Sequence, residues 1–270
     1  MKKLVKLDVI RSYTAILDPL QVYAERNTIL LVKTNPRELG LSEALIDMPE
    51  LHSLDGISGE YSLLGLFRFR SPMAFERFLD NVDRVVAKSG AQTYNLVQVL
   101  TTYKTNGFIV RKSSNSSPSL TEKDWNLLNV LRRRTPSEEK PFAPSQEDIG
   151  KAMKPQISQP AVSKAMTRLE SRGAIAGYSL DIDYGCVGLP IKFFLQIRPR
   201  PGSIANAAKK ISQMEQVWDL HRVSDDYGLF ANVRVESVSS YNDFIRKLYE
   251  NEAVLDTQSQ VSLEEWFIPS

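Results

Sequence analysis

MEQVWDLHRVSDDYGLFANVRVESVSSYNDFIRKL, residues 214–248, alternates apolar and polar side chains through two short runs and then changes to helical spacing. VWDLHRVSD and YGLFANVRVES keep a period of two, the pattern of strands with one buried face. Tyr241, Phe244, Ile245 and Leu248 then recur at the spacing that gathers them on one side of a helix. Upstream, PIKFFLQIRP (190–199) reads as a strand and GSIANAAKKISQM (202–214) as a helix with Ser203 near its cap. Downstream, VLDTQSQVSLEEW (254–266) reads as a last strand. The order βαββαβ is the ferredoxin-like plan.

The stretch has a counterpart. MPELHSLDGISGEYSLLGLFRFRSPMAFERFLDNV, residues 48–82, lies on 214–248 without a gap at an offset of 166. Met48 meets Met214, Ser58 meets Ser224, Tyr61 meets Tyr227, Leu63 meets Leu229, Arg68 meets Arg234, Ser71 meets Ser237 and Phe78 meets Phe244. Further upstream IRSYTAILDP (10–19) reads like IAGYSLDIDY (175–184), with Ile10, Tyr13 and Asp18 on Ile175, Tyr178 and Asp183. A register this long without a gap favours duplication over chance. The first copy reads as TILLVKT, a helix near SEALIDM, LHSLDGIS, YSLLGLFRF, the helix SPMAFERFLDNVDRVVAKS and the strand QTYNLVQVLTTYK. Each copy therefore makes a sheet with one face still to cover. Between the copies RKSSNSSPS (111–119) is serine-rich and lacks large apolar residues, as a flexible linker does.

From Leu120 the pattern turns helical. LTEKDWNLLNVLRRR (120–134) offers Thr121 as N-cap, Asp124 three residues on, and an apolar stripe of Trp125, Leu128 and Leu131. The proline-bearing TPSEEKPFAP (135–144) ends that helix. SQEDIGKAM (145–153) begins with Ser145 as cap and carries Glu147 and Asp148 in its first turn, where the helix dipole favours acids. KPQIS makes a turn into a third helix, SQPAVSKAMTRLESRG (158–173), capped by Ser158 and closed by Gly173. Three helices followed by GAIAGYSLDID, whose alternation suggests a β wing, spell a winged helix-turn-helix. Val162, Met166 and Leu169 are spaced to bury together, which turns Ser163, Lys164, Thr167 and Arg168 outward. With Gln156, Ser158 and Gln159 at the turn and helix start, these are the candidate DNA contacts, because their donors suit phosphates and base edges. Residues 120–173 hold ten Lys or Arg against seven Asp or Glu, a surplus that a merely solvated helix could also show.

The expected architecture is therefore α+β, with a winged helix-turn-helix (120–185) flanked by ferredoxin-like domains at 1–112 and 186–270 and a linker at 113–119. Composition fits a globular chain, 42% hydrophobic and 24% charged, and a net charge of +2 decides nothing about nucleic acid. Cys186 is the lone cysteine, so no disulfide forms within the chain. Lys6, Asp8 and Arg11 interrupt the N-terminal apolar residues, so no signal-peptide core is read, and no apolar run approaches the roughly 18 to 20 residues of a membrane helix. A soluble, cytoplasmic protein without membrane attachment is expected.

The segments LTEKDWNLLNVL, EDIGKAM, ISQPAVSKAMTRLESRGAIAGYSLDID and SDDYGLFANVRV resemble the leucine-responsive and asparagine-C (Lrp/AsnC) family of prokaryotic regulators, over residues 120–270. The resemblance implies a DNA-binding domain joined to a RAM-type regulatory domain that dimerises through its sheet and can bind small molecules, often amino acids. Ser158 to Arg168 match the family's recognition helix, and Ser224 to Gly228 the turn near its effector site. Ser224, Asp225, Asp226 and Tyr227, with Ser58, Gly59, Glu60 and Tyr61 of the first copy, are thus the candidate effector residues, although hairpin connections would read the same. Three departures stand out. Asp225, Asp226, Tyr227 and Gly228 replace the family's Gly-Asp-Tyr-Asp-like turn; a loop with Pro136, Pro141 and Pro144 separates the first two helices; and the first copy starts at what would be the end of a recognition helix.

The partners implied are double-stranded DNA, a second copy of the chain and a small-molecule effector. A homodimer or higher even oligomer is expected, with copies pairing between chains in preference to a pseudo-dimer inside one chain. Other activities find less support. His52, His221 and Cys186 are too scattered for a metal site, adjacent Asp225 and Asp226 point apart as a catalytic dyad would not, and glycine-rich phosphate loops are absent, so neither enzyme activity nor a cofactor is expected. An architectural, chromatin-like DNA-binding protein is one alternative. A haem-precursor decarboxylase is another, since some relatives with this layout are such enzymes, but they rely on histidine and arginine clusters and this chain has two histidines.

Overall fold

The computed structural model describes residues 1–22, 27–35, 40–110, 120–132, 136 and 142–266. In chain order its first part runs through helix α1 (Lys2–Lys6), strand β1 (Ile10–Leu17), α2 (Pro19–Val22), β2 (Thr28–Lys33), α3 (Gly40–Ile46), β3 (Leu51–Ile57), β4 (Leu63–Phe67), α4 (Pro72–Lys88), β5 (Thr93–Thr105) and β6 (Phe108–Ile109). Helices α5 (Glu122–Leu131), α6 (Gln146–Ala152) and α7 (Gln159–Ser171) follow, then β7 (Ile175–Ile182), β8 (Ile191–Pro199), α8 (Ile204–Ser212), β9 (Val217–Val223), β10 (Leu229–Val235), α9 (Val238–Tyr249) and β11 (Val254–Trp266). The chain divides into two units: Tyr23–Ile109 with Ile191–Ile268, and Met1–Val22 with Val110–Pro190.

The larger unit holds both copies of the βαββαβ plan. Each sheet has the same order, β3-β4-β2-β5 in the first copy and β9-β10-β8-β11 in the second. The repeated serines are helix caps: Ser71 Oγ accepts from the Ala74 amide at 3.2 Å at the start of α4, and Ser237 Oγ from the Ser240 amide at 3.1 Å at the start of α9. On one face of the second sheet Phe193, Leu195, Ile197, Ala231 and Val233 pack under Ala207, Ile211, Phe244 and Leu248 of α8 and α9. The first sheet packs likewise, with Leu30, Val32, Leu54 and Phe67 under Leu45, Phe78 and Val82.

The remaining faces meet each other. Phe194, Val223 and Phe230 of the second copy pack with Ile29, Leu31, Ile57, Leu64, Val97 and Val99 of the first. Edge strands join too. β11 pairs with β3, setting Ser262 opposite Ile57 and Glu265 opposite Asp55, while β5 pairs with β9, setting Val99 opposite Val223 and Thr102 opposite His221. These are the same repeat positions at both joints, so the copies are related by a local twofold and their strands form a closed circuit. The pairing expected between chains is thus made within one chain. The physical reason is that each copy offers the other both an uncovered apolar face and two unpaired strand edges.

The smaller unit follows the same rule. β1 and β7, themselves copies, run antiparallel with Ile10 opposite Ile182, Tyr13 opposite Leu180, Ala15 opposite Tyr178 and Leu17 opposite Ile175. The 173–183 stretch therefore gives one strand paired to the chain's N-terminal strand, where a self-contained wing was expected, and residues 1–22 group with the helices instead of with the rest of 1–112. Asp8 (φ +54°) and Gly173 (φ +74°) hold the same left-handed position. Val9 N bonds Leu4 O at 2.9 Å as Ala174 N bonds Leu169 O at 2.9 Å, so α1 stands where the last turn of α7 stands in the other copy.

The expected cap of α5 forms as a capping box of Thr121 with Asp124, and the Ser145 cap of α6 closes a second box with Asp148, expected only as a first-turn acid. Leu127, Leu128, Leu131, Ile149, Met153, Val162 and Leu169 are buried. In the α5 stripe Leu127 takes the buried place expected for Trp125, which is half-buried, and Met166 is half-buried as well. Ser158 sits at the N-cap of α7 but makes no side-chain cap bond. The linker 113–119 and Pro141 lie outside the described residues.

Gly150 fixes the spacing of α6 and α7. A Cβ there would lie 2.4 Å from Ile157 O and 3.3 Å from Val162 Cγ2. Gly150→Ala is accordingly expected to destabilise the helical unit by about 1–3 kcal/mol, seen as an earlier urea midpoint for that transition; an unchanged midpoint would contradict the close approach.

Candidate nucleic-acid interface and the paired turns

The α6–α7 pair presents its polar face as follows. Val162 and Leu169 are buried, which fixes the rotation of α7. Gln156, Ser158, Gln159, Lys164 and Thr167 are exposed and Ser163 is half-buried, so these candidate DNA contacts share the accessible side. The first turn of α7 carries no acid, and Gln159 Nε2 donates to Gln146 Oε1 at 3.1 Å across the two helix starts. Such a helix start, with its amide dipoles and no opposing carboxylate, suits a phosphate or base edge. Lys151 is tied to Glu147 at 2.6 Å one turn away, whereas Lys164 makes no ion pair among the described residues.

Arg168 departs from expectation. Its guanidinium pairs with Asp124, whose side chain is 2% exposed while that of Arg168 is 42% exposed. Asp124 also accepts from the Thr121 amide at 3.0 Å and the Thr121 hydroxyl at 2.8 Å. One buried carboxylate thus closes the α5 cap and anchors α7, and Arg168 is a tie between helices before it is a surface cation. The capping-box pattern revealed the first role of Asp124; the second needs the helix packing.

In the larger unit the two candidate effector turns are built alike at their starts. Ser58 N donates to Val261 O at 2.9 Å and Ser58 Oγ accepts from Val261 N at 3.0 Å; Ser224 N donates to Gln98 O at 2.9 Å and Ser224 Oγ accepts from Gln98 N at 3.0 Å. The repeated serines therefore latch one copy to the other. Gly59 and Gly228 follow with positive φ, +112° and +77°. Beyond them the turns differ. Asp225 Oδ2 accepts from Gln196 Nε2 at 2.8 Å, and its Oδ1 from the Asp226 amide at 2.8 Å. Burial pushes the Tyr61 phenol above its ordinary range, and the Glu60 and Asp225 carboxylates push it further, so Tyr61 of the first copy feels the turn of the second. Tyr227 instead lies 4.6 Å from the Arg198 guanidinium. Glu60 and Asp226 are exposed.

A polar layer between the sheets was not read from the sequence. At the β11–β3 joint Lys192 Nζ lies 2.6 Å from Asp55 Oδ1 and 3.1 Å from Glu265 Oε2, Ser262 Oγ donates to Asp55 Oδ1 at 2.8 Å, and Arg234 pairs with Glu265. Burial raises the Asp55 carboxyl while Lys192 and Ser262 draw it back; Glu265 is also penalised by burial, but Lys192 and Arg234 together hold it below its ordinary value. At the β5–β9 joint the same position as Asp55 carries His221, whose Nδ1 is 3.1 Å from Thr102 Oγ1. The signal was the register itself, which put His221 on Asp55 and Arg68 on Arg234. His221 is buried. Among the described residues no group of His, Cys, Asp and Glu could hold a metal ion, and no helix is long and apolar enough to cross a membrane.

Residues 192–268 match the family model of the Lrp/AsnC ligand binding domain. They are similar to that domain. The chain is 28% identical over 149 residues to the HTH-type transcriptional regulator LysM of Sulfurisphaera tokodaii, a match covering 54% of this chain and 96% of that protein. It is 29% identical over 112 residues to the HTH-type transcriptional regulator LrpA of Mycobacterium tuberculosis, covering 41% and 74%. Among solved structures the siroheme decarboxylase NirDL superposes with a TM-score of 0.63 at 14% identity over 98% of this chain and 79% of that one. That likeness is one of fold, and the residues that match the family model form the second βαββαβ copy.

The second copy contributes His221, whose imidazole burial lowers to about 4, with Arg68 acting in the same direction and Asp219 opposing. In the unfolded chain it titrates near 6.5. Between these values the unfolded chain binds the extra proton, so stability is full above about 6.5 and falls as pH drops toward 4. The expected loss is on the order of 3 kcal/mol, and His221→Gln, which keeps a partner for Thr102, should flatten that part of the melting-temperature profile. Parallel profiles for the two proteins would remove His221 as the cause.

Proposed function

We propose that this chain is a sequence-specific transcriptional regulator of the Lrp/AsnC type, in which α5–α7 act as a winged helix-turn-helix over 120–185 and α7 enters the major groove of double-stranded DNA. The observation that carries it is the exposed α7 face, with Gln159, Lys164 and Thr167 accessible and no acid in the first turn. The similarity of about half of the chain to the HTH-type transcriptional regulators LysM and LrpA supports the same reading. Ser163, Ser158 and Gln156 complete the contact set at the helix start, and Arg168 holds the helix at its angle through Asp124. A small-molecule effector would meet the exposed acids Glu60 and Asp226 beside Gly59, Tyr61, Asp225 and Tyr227, since Ser58 and Ser224 are committed to the joints.

Two measurements test the reading. On a duplex recovered by sequencing bound DNA, Lys164→Ala with Gln159→Ala is expected to weaken binding 10- to 1000-fold, by about 1–3 kcal/mol for each base contact, and to lower the salt slope by about 1. Arg168→Ala should lower the melting temperature of the helical unit, whereas the double variant should leave it unchanged. Equal affinity for the double variant and the parent protein would defeat the assignment of α7. In a metabolite screen by thermal shift, Glu60→Ala with Asp226→Ala should abolish any ligand-induced shift; a retained shift would place the effector elsewhere.

A further inference from the structure

We propose that one chain reads one DNA half-site, so that its target is a short, non-palindromic element bound by a single copy. The inference rests on the DNA-reading assignment of α7 and specifies the DNA it takes. Helix-turn-helix proteins recognise palindromes because a twofold dimer presents two readers about one helical turn apart. Here both surfaces that would make such a dimer are occupied inside the chain. In the smaller unit β1 lies along β7 in a register that is unchanged when the two strands are exchanged, Ile10 on Ile182 and Leu17 on Ile175. In the larger unit the sheets cover each other and their edges close the circuit through β11–β3 and β5–β9.

The joints also discriminate between copies. Asp55 of the first copy neutralises Lys192 of the second, with Glu265 shared between Lys192 and Arg234. If two second copies paired instead, His221 would take the place of Asp55 against Lys192 and Arg234, and a buried ammonium would lose one of its two carboxylates. If two first copies paired, Asp55 would take the place of His221, facing Thr102 and exchanging Lys192 for Arg68. A buried charge stripped of its partner is strongly destabilising, so the second copy, through Lys192, favours its unlike neighbour, which the same chain supplies at high effective concentration. Among the described residues one three-helix unit is present, and opposite α7 across the β1–β7 pair stands the short α1, matching only the last turn of α7.

The experiment uses the full chain. Duplexes are selected from a random library, sequenced, and the complex on the enriched duplex is weighed by light scattering. The expected result is a motif without inverted symmetry and a complex holding a single 30.5 kDa chain, with saturation at one chain per duplex. An inverted repeat with half-site centres about one helical turn apart, bound by two chains, would overturn this proposal and leave the reading of α7 intact. A library with no enrichment would overturn the reading of α7, and this proposal with it.

Discussion

A four-stranded sheet backed by two helices leaves its other face apolar, and in this chain that face is covered by the chain's own second sheet. Ile29, Leu31, Val97 and Val99 on one side and Phe194, Val223 and Phe230 on the other are buried together in one cluster. Burying an aromatic or branched side chain stabilises by roughly 1.5–3 kcal/mol, so this contact outweighs any single hydrogen bond in the molecule. It also explains why β2 and β8, buried on both faces, read as near-continuous apolar runs, ILLV and FFL, whereas β9 keeps its alternation. Edge pairing follows from the same contact, because strands brought together face to face also bring their open edges within reach.

Into this apolar contact the chain places charges. Lys192, Asp55 and Arg234 are each more than nine-tenths buried, a costly choice if the aim were stability alone. Their arrangement makes sense as recognition: the two joints occupy equivalent positions, yet one is an ion network and the other a neutral histidine with a threonine. The two copies present like surfaces, and the difference between Asp55 and His221 gives the two joints different chemistry. The same divergence separates the two turns, where the serine latches stay alike while Tyr61 and Tyr227 have different neighbours.

In the smaller unit Asp124 plays the comparable part. It satisfies the first turn of α5 and carries the charge that holds Arg168, so a single carboxylate couples a helix cap to the angle of the exposed helix. Gly150 then lets the turn before α7 approach to within backbone contact. What α7 can offer to a groove, Gln159, Lys164 and Thr167, depends on both constraints.

The sequence by itself determined the elements. Period-two runs, helical stripes, the serine and threonine caps and the gap-free register between 48–82 and 214–248 are local or self-referential signals, and the strands, helices and both capping boxes form where those signals stand. It also marked the accessible face of α7, because Val162 and Leu169 leave only one rotation that buries them. Only the tertiary structure decided who pairs with whom. Edge strands bond through backbone groups common to every residue, and an apolar face is complementary to any other of its size, so the pattern of β1, β3 and β11 is equally consistent with partners in the same chain or another. Charges obey the same limit: Arg168 reads as a surface cation until packing sets Asp124 beside it, and nothing in the sequence pairs Lys192 with Asp55, since an ion pair between residues 44 or 137 positions apart leaves no periodic trace.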